Sequence, residues 1–188
     1  MKNLFLISSL VAAVSVANFA QANTGEINFT GELTAATCTV TGGTGGTAGV
    51  IDVDLGTVSI ADLGTGAPGD FGAETGINMD IDCAGAGGFE TVKMHFSPRS
   101  GSGLDANDNR LLQITEGGAA GVGIGLINDA NELVNLGTGE TVETALVAGQ
   151  DGAATATLNL RAAYIISDAP ALAAGVANGD MPFTLSYE

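Results

Sequence analysis

The 188-residue chain combines a strong acidic excess with a high apolar fraction. It carries 21 acidic and 5 basic residues, a formal net charge of −16, and 45% of its residues are hydrophobic. The charge repels nucleic acid and anionic lipid, and the apolar fraction is too high for a disordered chain. The composition of 29 glycines and no tryptophan favours short strands joined by glycine turns over helical bundles.

The first 22 residues have the pattern of an export signal. Lys2 is followed by an apolar run over 4–16 and by the small-residue triplet AQA at 20–22. The pattern predicts a secretory signal peptide over 1–22, cleaved after Ala22. The run is shorter than the ~20 apolar residues of a spanning helix, and no other stretch is long enough. We therefore expect an exported protein without membrane insertion.

Period-two alternation predicts strands in the first half of the exported chain. The stretch GEINFTGEL at 25–33 alternates, and a strand at 37–41 runs into a glycine-threonine loop at 42–49. A strand is predicted at 50–55, followed by a polar, glycine-rich connection through GTGAPGDFG. The next strand, GINMDIDC, has Ile77, Met79, Ile81 and Cys83 on one face.

The second half continues in the same way. A strand over 89–96 is stopped by Pro98, and GVGIGLINDANELVNL at 121–136 has the pattern of a hairpin. A long strand is predicted over Ala154–Ile166, and a final strand over 181–188. About seven or eight strands without a helical period predict one domain, an antiparallel β-sandwich that is immunoglobulin-like.

The two cysteines, Cys38 and Cys83, fall on predicted strands with their side chains on core faces. In an exported chain one intramolecular disulfide is the simplest interpretation. Closing a loop of about 45 residues would stabilise the fold by about 4 kcal/mol in chain-entropy treatments. Two thiols and one histidine are too few for a closed zinc site, so no metal and no cofactor are expected.

No catalytic motif is present, and we expect no enzyme. His95 is the single histidine, and it alternates on the polar side of its strand with no nucleophile motif beside it. The stretch DANDNRLLQITE places Asp105, Asn107, Asn109 and Glu116 at ligand positions of a calcium loop. Arg110 stands where that loop needs glycine, so a polar surface loop is the favoured interpretation.

The most strand-like segments stand at both ends of the exported chain. Ile27, Phe29, Gly31 and Leu33 share one face of the first segment. Residues Phe183, Leu185 and Tyr187 share one face of the last. On alternation alone, the favoured interpretation is that both strands pair within the same molecule.

Several motifs together resemble those of chaperone–usher major pilins, the type 1-like fimbrial subunits. These are INFTGEL before CTV, GVGIGLIND, LNLRAAYI, a penultimate tyrosine (Tyr187) and a glycine fourteenth from the end (Gly175). The resemblance implies an N-terminal donor-strand extension at 23–34 and a pilin domain at 35–188. It also implies an incomplete immunoglobulin-like sandwich, completed by a donor strand from another subunit.

The resemblance assigns roles to the terminal segments. The donor strand would present Ile27, Phe29, Gly31 and Leu33. The acceptor groove and chaperone-contacting strand would include Gly175, Phe183, Leu185, Tyr187 and Glu188. The implied partners are other copies of the chain, a periplasmic chaperone, an outer-membrane usher, and tip or adaptor pilins.

The predicted function is that of a structural subunit of a surface fimbria that polymerises by donor-strand exchange and supports adhesion and biofilm. Such a chain passes through the periplasm to the extracellular fimbria on the bacterial surface. A minor adaptor pilin remains an alternative, because rod and adaptor pilins share these motifs. An exported monomeric carbohydrate-binding module is a further alternative, although the chain has no tryptophan and only two tyrosines.

Overall fold

A computed structural model describes residues 37–43, 49–86, 88–115 and 118–188, which all belong to one compact unit. The predicted signal peptide and the 23–34 segment lie outside these residues. The described part contains four short 3₁₀ helices and ten strands. The strands are β1 (Thr37–Gly42), β2 (Leu63–Ala67), β3 (Asp70–Gly72), β4 (Glu74–Ala84), β5 (Thr91–Phe96), β6 (Val122–Ile127), β7 (Thr141–Ala145), β8 (Val147–Ala148), β9 (Ala154–Ile166) and β10 (Phe183–Tyr187).

The strands form two sheets that share one core. The larger sheet has the order β1-β4-β9-β2-β3, and β6 and β8 also pair with β9. The smaller sheet has the order β10-β5-β7. All of these pairs are antiparallel except β2 with β9. Within the described residues no helix is of the length and apolarity that crossing a membrane requires.

Strict alternation builds the centre of the larger sheet. In β4, Ile77, Met79, Ile81 and Cys83 are buried, while the residues between them are exposed. In β9 the same pattern buries Ala154, Ala156, Leu158 and Leu160. Because successive strand residues point to opposite faces, one face of each strand reaches the core and the other reaches water. These two predicted strands are confirmed, and the bounds of β9 match the prediction.

A disulfide joins the first strand to this centre. Cys38 on β1 and Cys83 on β4 are direct cross-strand partners, and their sulfur atoms are bonded. The predicted pairing is therefore confirmed. Among the described residues β1 has a ladder with β4 alone, so the covalent bond reinforces a strand that is held from one side.

A second buried cluster covers the outer face of the C-terminal half of β9. It consists of Phe71, Leu111, Ile127, Ala163 and Ile165. Phe71 belongs to the β2–β3 pair, which the sequence analysis described as a polar connection. The prediction of an unpaired connection is wrong, because glycine is needed here for strand packing rather than for a turn. The two strands approach so closely that a Cβ on Gly64 would lie 2.3 Å from the backbone of Phe71.

Two further strand predictions need correction. The segment at 50–55, predicted as a strand, forms no ladder: its residues alternate in exposure, but within the described part it forms a single bridge, Gly43 with Asp52. The hairpin predicted at 121–136 is confirmed in short form: the chain turns at 128–131 and returns beside β6, with the bridge Ile127 to Leu133 and a bond from Val134 N–H to the Leu126 carbonyl. The last strand begins at Phe183, two residues later than predicted, and β7 was not predicted at all.

Adjacent positions on β4 provide a test of this core. Ile81 is 1% exposed, so Ile81→Ala removes a fully buried side chain and leaves a cavity. We expect the free energy of unfolding to fall by about 2–5 kcal/mol, measured by urea denaturation. Asp82→Ala, on the exposed face of the same strand, is the matched control and should change it by less than about 0.5 kcal/mol. Equal losses from both variants would contradict the assigned faces.

Candidate functional site

An apolar groove of about 980 Å³ opens along one side of the sandwich. One wall is formed by β10 and the residues just before it, and the other by part of β1 and the 49–55 segment. Both sheets contribute to the floor. The side chains at the floor are mainly aliphatic and come from β4, β5, β6 and β9: Ile77, Met79, Met94, Phe96, Ile124, Leu126, Leu160 and Ala162.

The β10 wall is an edge of the smaller sheet. β10 forms an antiparallel ladder with β5, from Phe183 opposite Phe96 to Tyr187 opposite Val92. It stands last in the strand order of that sheet, so its other edge borders the groove. Phe183, Leu185 and Tyr187 line the groove and pack against the main core. An edge strand with an apolar inner face is a template for a further strand.

The opposite wall has the same alternation. Ile51, Val53 and Leu55 are partly buried, pack against the core and line the groove. The residues between them are exposed. The groove is therefore bordered by two extended segments whose apolar side chains point to the same core. Two such borders and an apolar floor make a slot for an extended apolar strand.

Residues 172–182, called the strap here, lead into β10 and fix its start. Within the strap, the carbonyl of Val176 accepts a hydrogen bond from Ala119 N–H at 2.7 Å. The carbonyl of Asp180 accepts from Ser102 N–H at 2.9 Å, and the Asp180 carboxylate accepts from the Ser102 hydroxyl at 2.9 Å. The strap thus holds its position by bonds to two other loops.

Tyr164 ties the strap to the larger sheet. Its hydroxyl donates a hydrogen bond to the carbonyl of Ala177 at 2.8 Å. Burial raises the pKa of the Tyr164 phenol above its ordinary value, and the negative charge of Asp54 acts in the same direction. Asp54 belongs to the segment at 49–55, so the charge of the opposite wall acts on the phenol that holds the strap.

Two residues assigned by the resemblance do not line the groove. Gly175 packs against the backbone of Gly118 and Ala119, where a Cβ would come within 2.8 Å of Ala119 N, and it does not line the groove. Glu188 continues the ladder beyond β10: its N–H donates to Thr91 carbonyl, and its own carbonyl accepts from Glu90 and Thr91. Gly175 therefore allows the strap backbone to approach the backbone of Gly118 and Ala119 closely.

The outer face of β10 is held by polar contacts. Lys93 Nζ donates to Glu188 Oε2 at 2.7 Å and lies 3.7 Å from Glu143 on β7. The bond to Glu188 raises the pKa of the Lys93 ammonium, and the charge of Glu143 also raises it. His95 Nε2 lies 2.9 Å from Ser186 Oγ. Lysine and histidine on β5 thus face the groove wall from its solvent side.

The calcium-like loop forms local turns. Asp105 Oδ1 accepts hydrogen bonds from the backbone N–H groups of Asn107 and Asp108, at 2.9 and 3.0 Å. Arg110 makes an ion pair with Asp108 at 2.6 Å, and this bond lowers the pKa of the Asp108 carboxyl. Glu116 lies outside the described residues. Within those residues no group of three or more His, Cys, Asp or Glu side chains is placed to hold a metal ion.

Comparison with known proteins assigns the chain to a family. A family profile described as fimbrial protein matches residues 27–188. The chain belongs to the fimbrial protein family. Long polar fimbria protein A of Salmonella typhimurium is 32% identical over 191 residues, which cover 100% of this chain and 98% of that protein. The type-1 fimbrial protein subunit of Serratia marcescens is 29% identical, covering 100% and 99%.

A solved structure confirms the fold class. A chain of a chaperone–usher pilus aligns with a TM-score of 0.53 at 18% identity, covering 92% of this fimbrial protein and 100% of that chain. The fold is accordingly an all-β, immunoglobulin-like sandwich. The matching relatives are fimbrial proteins, and the groove of this chain is lined mainly by apolar side chains.

Replacement of Tyr164 tests the connection between the strap and the groove wall. Tyr164→Phe removes the hydroxyl that donates to Ala177, and we expect the free energy of unfolding to fall by about 1 kcal/mol at neutral pH. Tyr187→Phe is the control, because no hydrogen bond of its hydroxyl is seen within the described residues, and it should be nearly neutral. Urea denaturation measures both.

The pH dependence gives a second measurement on the same variants. The folded-state pKa of Tyr164 lies above its ordinary value, because the fold favours the neutral phenol. The stabilisation of the folded state by this phenol is therefore complete below about pH 10 and is lost as the pH rises through the folded-state pKa. The original chain should therefore lose stability above about pH 10 more steeply than Tyr164→Phe. Identical slopes would show that the phenol makes no pH-dependent contribution.

Proposed function

We propose that the chain is a rod-type fimbrial subunit that polymerises by donor-strand exchange. In this proposal, residues 23–34 of one copy occupy the groove of the next copy. Ile27, Phe29 and Leu33 are the buried side chains, and Gly31 passes where the backbones approach most closely. The observation that carries the proposal is the apolar groove bordered by the edge of β10.

The chemistry of the groove supports an extended apolar occupant. Its floor is aliphatic, and its β10 wall offers a backbone edge that can form a second ladder. The 23–34 segment has apolar residues at alternate positions, so it presents one apolar face and one polar face. A strand added here would gain main-chain hydrogen bonds along β10 and bury its apolar face, which is the mode of recognition called β-augmentation.

The magnitude of the burial supports a long-lived polymer. Each large apolar side chain contributes about 1.5–3 kcal/mol when fully buried, so Ile27, Phe29 and Leu33 together contribute roughly 5–9 kcal/mol before ordering costs. Backbone hydrogen bonds along β10 add to this value, at about 1 kcal/mol each. Dissociation then requires all of them to break together, so it is slow.

An open groove also requires other partners before assembly. Exposed apolar surface next to an unpaired edge promotes aggregation. We therefore include in the proposal a periplasmic chaperone that fills the groove temporarily and an outer-membrane usher at which copies are exchanged. Tip or adaptor pilins would terminate the polymer, and the assembled fimbria would stand outside the cell and support adhesion and biofilm.

A complementation experiment tests the proposal directly. One variant lacks residues 27–33 but keeps its groove; a second variant, Leu185→Asp, keeps the donor segment but carries a charge in the groove. We expect neither to form polymers alone, because each lacks half of the contact. Mixed together, they should form a dimer and nothing longer. Gel electrophoresis without reducing agent, with and without boiling, resolves these species.

A matched control separates the groove from general disruption. Thr184→Asp places the same charge on the exposed face of β10, and it should leave the ladder of subunit multiples unchanged. Polymers formed by the chain without residues 27–33 would refute donor-strand exchange. A single monomer band for the original chain in the unboiled lane would favour pairing of both terminal strands within one molecule.

A further inference from the structure

The groove contains every methionine of the described residues. The chain has four methionines, and the first one lies in the predicted signal peptide. The other three, Met79, Met94 and Met181, all line the groove. Met79 comes from β4, Met94 from β5, and Met181 from the strap just before β10. The thioethers therefore collect on one functional surface, although the residues are far apart in the sequence.

The three thioethers differ in exposure. Met79 is 3% exposed and Met94 is 1% exposed, so both lie deep in the floor. Met181 is only partly buried and packs against the core from the wall. Because methionine is unbranched and polarisable, it fills irregular spaces and adapts to different occupants. The same sulfur atoms are reactive towards small oxidants whenever nothing covers them.

We propose that the groove methionines form an oxidation site that controls strand docking, with Met181 as the first residue to react. The inference rests on the proposed donor-strand function. The oxidant is hydrogen peroxide: one of its oxygen atoms is transferred to the thioether sulfur, so an S–O bond forms and the O–O bond breaks. The sulfur loses two electrons, the second oxygen atom leaves as water, and methionine sulfoxide results.

The sulfoxide opposes docking for a physical reason. Its oxygen is a strong hydrogen-bond acceptor, and an inserted apolar strand would remove that oxygen from water without supplying a donor from its side chains. Because Met181 is only partly buried, its sulfoxide stays hydrated while the groove is open, so oxidation there penalises the filled groove selectively. Conversely, a docked strand covers the Met181 sulfur and protects it. Oxidation and docking therefore exclude each other.

The experiment uses the full chain, refolded as a dilute monomer, and a synthetic peptide of residues 23–34. The chain is treated with hydrogen peroxide with and without the peptide, and mass spectrometry follows the addition of one oxygen atom at each methionine. We expect Met181 to react before the buried Met79 and Met94, and the peptide to slow the reaction at Met181. The oxidised chain should bind the peptide roughly tenfold to hundredfold more weakly.

Two controls connect the loss of binding to the sulfur atoms. Leucine has nearly the volume of methionine but has no sulfur atom to oxidise. One variant is Met181→Leu, and a second replaces Met79, Met94 and Met181 together by leucine. The triple variant should bind the peptide equally well before and after peroxide. Treatment of the oxidised original chain with the two methionine sulfoxide reductases, one for each epimer, should restore binding.

The possible outcomes separate this inference from the donor-strand proposal. Failure of the untreated chain to bind the peptide would refute donor-strand docking and, with it, this inference. Normal binding by the untreated chain together with unchanged binding after complete oxidation would refute the oxidation control alone. Equal rates of oxidation at Met181 with and without bound peptide would also refute it, because the Met181 sulfur would then not be covered.

Discussion

The structure depends on one constraint: among the described residues, β10 is paired along one edge alone, while its apolar side chains face the groove. β10 has its ladder with β5, and its other edge borders the groove. Several features hold this wall in place. The strap fixes its start, Lys93 and His95 contact it from the solvent side, and Tyr164 ties the strap to β9. Because these contacts hold the wall in place, the strand of the proposed function would lose less free energy in ordering the site.

The polar outer surface directs association to the groove. Asn78, Asp80 and Asp82 point outward from β4, and the chain carries a formal charge of −16. Like charges on two copies repel each other, so weak contacts between outer faces are disfavoured. In the proposed function, an extended strand with an apolar face overcomes this repulsion through burial in the groove. The acidic composition would then suppress unspecific association, and the open groove would allow one specific contact.

Alternation made the centre of the fold predictable, but it did not identify every strand. β4 and β9 each bury one face, so their sequence patterns were sufficient, and the pairing of Cys38 with Cys83 followed from core-facing positions. β2 and β3 were missed because Gly64 on β2 must be a glycine to pack against the backbone of Phe71 on β3, and sequence patterns assign glycine to turns. The 50–55 segment alternates like a strand, yet pairing depends on a neighbour, and no local pattern encodes that. The groove was inferred from the family resemblance, which also assigned Gly175 to the groove or its neighbouring strand. The position of Gly175 is set by its contacts with Gly118 and Ala119, which are distant in the sequence, so no local pattern could predict it.

The segment at 50–55 and the strand β10 connect the fold of the chain to its proposed assembly, because both border the groove. Both have apolar side chains turned to the same core, and both border the same gap. Within one molecule, closing the gap would require either collapse of the two sheets or a strand from elsewhere. Collapse is opposed by the disulfide and the strap, which fix the two walls independently of each other. In the proposed function the gap is closed by an added strand, and the same two borders that leave the groove open among the described residues would then hold that strand.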